Sequence, residues 1–343
     1  MKNFYRAAGI AGALLILAAG AAFGQQADVV YLEGFPELKE SAGGRFEMDF
    51  GDLVRPGDSV ITGRTDYVEL EQAGANTIRV AADTVFTLQE VEEDGETQTV
   101  LSTTVGSVAF RFNQITGREP RIATPATVAG IRGTELTVYA GSDGSALFLV
   151  DEGLVDVEAQ GVTVSLTENE GVEVPAGGPP GEKFFFPDRQ LDFSSWNEER
   201  IEAFLESPVD SMRRIKDRLA QFEQEIVRLT PIIEEYTDQV EEIRAELERL
   251  DQEGNSEEIA RVREELFFPT VEQRRFASLN QRYYALSALS LRRFVVGRLY
   301  VEMKQRYLLE QSSQDFAGFM ELYKEILNDF ESSVVPQLVA ADI

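Results

Sequence analysis

The side chains of this chain that could carry chemistry are carboxylates, lysine amines, guanidinium groups and hydroxyls, because it has no His and no Cys. Ser-His-Asp and Cys-His nucleophilic arrangements are therefore excluded, as are the imidazole and thiolate ligands that zinc prefers. Oxygen ligands could still hold Ca²⁺ or Mg²⁺. Asp49, Asp52 and Asp58 lack the spacing of an EF-hand loop, so no metal or cofactor site is expected. Two carboxylates alone suffice for glycoside hydrolysis. No pair of acids here sits in a recognisable catalytic frame, so the chain reads as a non-enzyme, with a carboxylate-based glycan hydrolase as the remote alternative.

Two runs combine charged residues with turn-forming residues. In Gly51 to Gly63, the segment Arg55-Pro56-Gly57-Asp58 suits a type II turn, with Pro at its second position and Gly at its third. Asp52 and Asp58 are placed to accept hydrogen bonds from their own turn backbone. In Thr124 to Val138, Gly130 and Gly133 bracket Arg132. A guanidinium has five donors. Arg132 could staple turn carbonyls or pair with Glu135 or Asp151, or it could meet a ligand carboxylate or sugar acid. The candidate contacts are thus Asp52, Asp58, Arg132, Glu135 and Asp151.

These residues must be positioned by β structure. Val68 to Glu71, Thr77 to Val80, Val105 to Phe112 and Leu136 to Tyr139 alternate apolar and polar residues, as half-buried strands do. Ala146 to Val150 is wholly apolar and reads as buried on both faces. Short strands punctuated by glycines, with no helical segment between them, predict an all-β domain over residues 28–174, sandwich-, barrel- or solenoid-like.

The same stretch resembles the extracytoplasmic domain of the FecR family, over roughly Val29 to Val174. The resemblance rests on three runs in order: GD-x-V-x-x-GD-x-V-x-TG at Gly51 to Gly63, the TP…AGIRGT run at Thr124 to Val138, and EG-x-V-x-V at Glu152 to Val157. It implies a sensing module outside the cytoplasm. Family members sense at the outer membrane and signal to a cytoplasmic sigma factor through an N-terminal segment and one transmembrane helix. Here only Met1 to Arg6 precede the apolar run that begins at Ala7, so no sigma-binding segment is expected. Exported modules of this type without that tail are often fused to other binding regions.

Beyond the β domain, Pro175 to Gly181 is a run of breakers. With Phe184, Phe185 and Phe186 it makes residues 175–195 a linker and aromatic join. The three aromatics either plug the join or form an exposed partner patch. Residues 196–343 change character. Met212, Ile215, Leu219, Phe222, Ile226, Leu229, Ile233, Tyr236, Val240, Ile243, Leu247 and Leu250 keep an unbroken heptad, the mark of a coiled coil. Pro231 falls on its outer face, where a kink is expected. The turn at Gly254 favours an antiparallel hairpin within one chain over a homo-oligomer. A stretch to Pro269, a return helix over about Val271 to Leu309 and a last helix over about Gln314 to Phe330 complete an elongated helical region.

Residues 1–24 read as a secretory leader, with Lys2 and Arg6 ahead of an apolar run and small residues before Gln25. A retained anchor is the alternative; no later stretch is apolar enough to span a membrane. The net charge of −28, from 32 basic and 60 acidic residues, repels phosphate backbones and argues against nucleic acid. The expected role is an exported, periplasmic or otherwise extracytoplasmic binding or scaffold protein of the bacterial envelope. Its partner would be an envelope protein or glycan. The alternative is a component of FecR-type envelope signalling to a sigma factor, acting through a membrane partner.

Overall fold

The computed structural model describes residues 26–72, 76–93, 95–113, 119–187, 191–310 and 312–336. The expected leader lies outside the described residues.

Fifteen strands form one hydrogen-bonded network among the described residues. They are β1 (Ala27–Glu33), β2 (Glu37–Lys39), β3 (Arg45–Glu47), β4 (Leu53–Val54) and β5 (Ser59–Ile61). Then come β6 (Tyr67–Gln72), β7 (Asn76–Val80), β8 (Val85–Glu93), β9 (Glu96–Arg111) and β10 (Arg121–Ala123). The last are β11 (Val128–Ala140), β12 (Ala146–Ala159), β13 (Val162–Leu166), β14 (Glu170–Val174) and β15 (Phe184–Phe185). All pairings are antiparallel except β9 with β10.

The long strands change neighbours partway along. The first half of β9 pairs with β8 and β10, and its second half with β7 and β11. Likewise β12 pairs with β14 at its start and β13 at its end. The network therefore folds over a single core that includes Leu38, Leu70, Ile78, Phe86, Phe110 and Phe148. The alternating burial of β6, β7 and β11 follows from one face turned to that core. The wholly apolar start of β12 has a separate cause. Ala146, Phe148 and Val150 face the β core, while Leu147 and Leu149 pack against Trp196 of the helical region.

The helices are α1 (Phe193–Glu206), α2 (Pro208–Glu253), α3 (Ser256–Val262), α4 (Phe268–Ser290), α5 (Gly297–Arg306) and α6 (Gln314–Asp329). Pro208 opens α2 at a position that needs no N–H donor. Pro231 lies inside the helix and does not end it. Gly254 closes α2 with a left-handed φ of 70°, and the Asn255 side chain caps α3 by accepting from the Glu258 amide at 3.3 Å. The chain returns along α2, so the heptad stripe is matched mainly by α4 within the same chain. Near the base, α6 adds a third wall: Met212, Ile215, Leu219, Phe222 and Ile226 are buried with Phe319, Ile326 and Phe330. Farther out, Ile233, Tyr236, Ile243 and Leu247 are only half-buried.

One expectation needs correction. The return does not break at Pro269. It runs from α3 through a π-helical turn, Arg263–Phe267, into α4, and through a second, Leu291–Val296, into α5. Pro269 sits in the first turn after the π segment, where its missing donor costs little. The join over residues 175–195 is tied to both of its neighbours. Gly181 N donates to Glu173 O at 2.8 Å and Arg214 Nε to Ala176 O at 3.2 Å. Phe184 and Phe185 add an edge strand to β14, and α1 begins at Phe193, three residues before Trp196.

Motif turns and the cleft at the domain junction

The Arg55–Asp58 turn is type II. Asp58 N donates to Arg55 O at 2.9 Å, and Gly57 has φ 94°. The Asp58 side chain is buried, and its two oxygens accept from the amides of Arg55 and Ser41, each at 2.9 Å. Those bonds offset the cost of burying a carboxylate. Asp52 accepts from the Asp49 amide at 2.8 Å in a half-exposed turn. The helical region rests directly on this motif. A Cβ added at Gly57 would overlap Arg282 Nη2 of α4 and lie 2.8 Å from its Cζ and 2.9 Å from Ser41 Cβ.

The second motif is a bulge. The β11–β12 register shifts between Arg132 and Glu135. Opposite it, Gly153 has φ 92°, and a Cβ there would overlap the Gly133 carbonyl oxygen. Its glycines bring two bent backbones together. The Arg132 side chain is exposed and makes no hydrogen bond or ion pair among the described residues; Glu135 is instead paired with Arg111 through two bonds of 3.0 and 2.7 Å. Asp151 is half-buried and adds to the burial that raises the Tyr139 phenol above its ordinary range. The structure therefore does not join Arg132 to Glu135 or Asp151.

Phe184 and Phe185 are solvent-exposed, whereas Phe186 packs with Trp196, Phe193 and Leu191. The aromatic run is thus divided between an edge strand and the join.

A set of residues that the sequence does not mark meets where α2 and α4 cross the sheet. Asn280 bridges to Glu92 in both directions, accepting from its amide at 2.7 Å and donating to its carbonyl at 3.1 Å. Arg218 Nε donates to Pro125 O at 3.2 Å, in the turn that starts the second motif. A cleft of about 450 Å³ lies between these contacts, with Glu93, Arg121, Arg218, Phe222, Tyr283 and Tyr284 on its walls. A second hollow of about 610 Å³ shares Arg121, Val128, Arg218 and Gln221 with it and is lined further by Thr127, Gly130, Asp156 and Glu158. Arg121 is paired with Glu93 at 2.5 Å. Burial pushes the Tyr283 and Tyr284 phenols up and the Arg218 guanidinium down from their ordinary ranges. Arg218 occurs in a helix with arginines on several faces, and its partner is a carbonyl 93 residues earlier in the chain. No local pattern could single it out.

Among the described residues, no helix is long and apolar enough to cross a membrane. No curated protein matches the chain in sequence. Two crystal structures of a candidate anti-sigma factor from Parabacteroides distasonis ATCC 8503, at 1.65 and 2.50 Å resolution, overlap it in part. Each is 14% identical; the TM-scores are 0.33 and 0.32. The overlaps cover 40% and 46% of this chain, and 63% and 73% of those chains. The model of the FecR protein family matches residues 58–156. That span runs from the buried Asp58 to Asp156 in β12, so the FecR domain of this chain is residues 58–156 of the larger β domain.

Proposed function

We propose that the chain is a non-enzymatic component of FecR-type envelope signalling outside the cytoplasm. Its β domain would sense, and its helical hairpin would pass the bound state to a membrane partner. The FecR match at residues 58–156 carries this reading. It favours signalling over the general scaffold role that the sequence put first. The hairpin supports it, because α4 docks on the Gly57 turn and on Glu92, inside or beside the matched span.

Deleting the gene in the source bacterium and comparing transcripts tests the proposal. The expected result is a coordinated shift in a set of genes sharing one sigma-factor promoter. Unchanged transcription together with an altered envelope would reject signalling and leave the scaffold.

A further inference from the structure

The junction cleft has the dimensions of a ligand site. Its two hollows of about 450 and 610 Å³ fall in the range of small-molecule pockets, which favour domain interfaces. One wall is the β domain, at Val91 to Glu93 and from Arg121 onward, and the other is the helical hairpin.

The charges in the cleft are unevenly matched. Arg121 is paired with Glu93, Glu225 with Arg228, and Asp156 accepts from the Ser165 hydroxyl. Arg218 has no carboxylate partner among the described residues. Its guanidinium donates to Pro125 O and Gln221 Oε1 and lies 4.5 Å from the Phe222 ring centroid. Neither contact uses Nη2. A half-buried cation held by neutral acceptors and an aromatic face is prepared for an anion, and a guanidinium fork matches a carboxylate.

The rest of the lining limits what that anion is attached to. Asp156 and Glu158 are exposed at the second hollow and would repel a second negative charge while attracting an ammonium group. Phe222, Tyr284 and Val128 give an apolar wall for a side chain. Gln221 and Thr127 lie between. We propose that this cleft binds the free carboxylate of a short zwitterionic peptide on Arg218, with the peptide amine toward Asp156 and Glu158. Binding at the cleft is independent of whether the chain signals.

Calorimetric titration of the full chain tests this with the dipeptide Ala-Ala, as the L,L and D,D free acids and as their C-terminal amides. At least one free acid should bind saturably, and its amide about tenfold or more weakly. Preference for L,L would point to protein-derived peptides, preference for D,D to wall-derived ones. Arg218→Gln should remove the difference between acid and amide. Arg218→Lys should retain part of it, and the exposed Arg132→Gln should leave it intact. The amide comparison needs no variant, so a misfolded Arg218→Gln chain would not blur the outcome. No saturable binding of either acid up to about 10 mM, or equal binding of acid and amide, would overturn the proposal.

Discussion

Replacing Gly57 by Ala probes the FecR turn and the domain junction together. The native φ of 94° places a residue with a Cβ in a region that costs about 1–2 kcal/mol. The new methyl would also overlap Arg282 Nη2 and press on Ser41. Displacing a packed side chain adds about 1–2 kcal/mol, the low end of overpacking costs. The sum is about 2–4 kcal/mol. Part of it should vanish when Arg282 is truncated, because the backbone strain and the Ser41 contact persist but the guanidinium overlap does not. Gly57→Ala should therefore cost about 1 kcal/mol less in an Arg282→Ala background. Urea unfolding followed by fluorescence suits the measurement, since the single tryptophan, Trp196, is buried at the junction. A cost below about 0.5 kcal/mol, or the same cost in both backgrounds, would refute the placement of α4 on this turn.

Other outcomes follow from the same geometry. Asp58→Asn keeps one carbonyl oxygen for two amide donors at 2.9 Å, so it should cost about 1–3 kcal/mol in chemical unfolding; a neutral result would mean the turn is held otherwise. Arg132→Ala removes an exposed side chain without a partner among the described residues and should change stability by less than about 0.5 kcal/mol. A loss above about 1.5 kcal/mol would restore the staple. Burial raises the Tyr283 phenol above its unfolded value of 10.0. In that window the folded state holds more protons than the unfolded one, so stability should be full below pH 10 and fall above it. Alkaline melts of Tyr283→Phe should show a shallower fall, and identical slopes would remove Tyr283 as the cause. Ile243→Cys should give no disulfide-linked dimer on oxidation, because its stripe is matched within the chain; efficient cross-linking would make the hairpin a dimer contact.

Much of this architecture was legible because it depends on local backbone chemistry. The type II turn is written in Pro56-Gly57, and the hairpin in the heptads and the Gly254–Asn255 break. Strand alternation was readable wherever one face is solvated, as in β6 and β7. Sequence and structure diverge where tertiary context decides. Three consecutive phenylalanines carry no period, so the pairing of Phe184 and Phe185 with Gly171 and Glu170 leaves no sequence signal. Pro269 reads as a stop until a π-helical turn shifts the bonding pattern before it. Arg132 between glycines reads as a staple or as a ligand contact, and Glu135 is taken by Arg111 from the neighbouring strand. The junction left no trace at all. The Asn280–Glu92 and Arg218–Pro125 contacts join residues far apart in the chain, through groups common on any helix surface.

The return of α2 beyond its base has a mechanical consequence. The hairpin touches the cleft through Arg218 to Glu225 and Asn280 to Tyr284, whereas α2 continues to Glu253. The 28 residues after Glu225 extend about 40 Å at the helical rise of about 1.5 Å per residue. A rod held at one end is a lever: a rotation of about 10° at the junction would carry its Gly254 tip through about 7 Å. Occupancy of the cleft, which sits at the fulcrum, would then be read as displacement at the far end. The half-exposed apolar stripe at Ile233, Tyr236, Ile243 and Leu247 lies along the part that travels farthest.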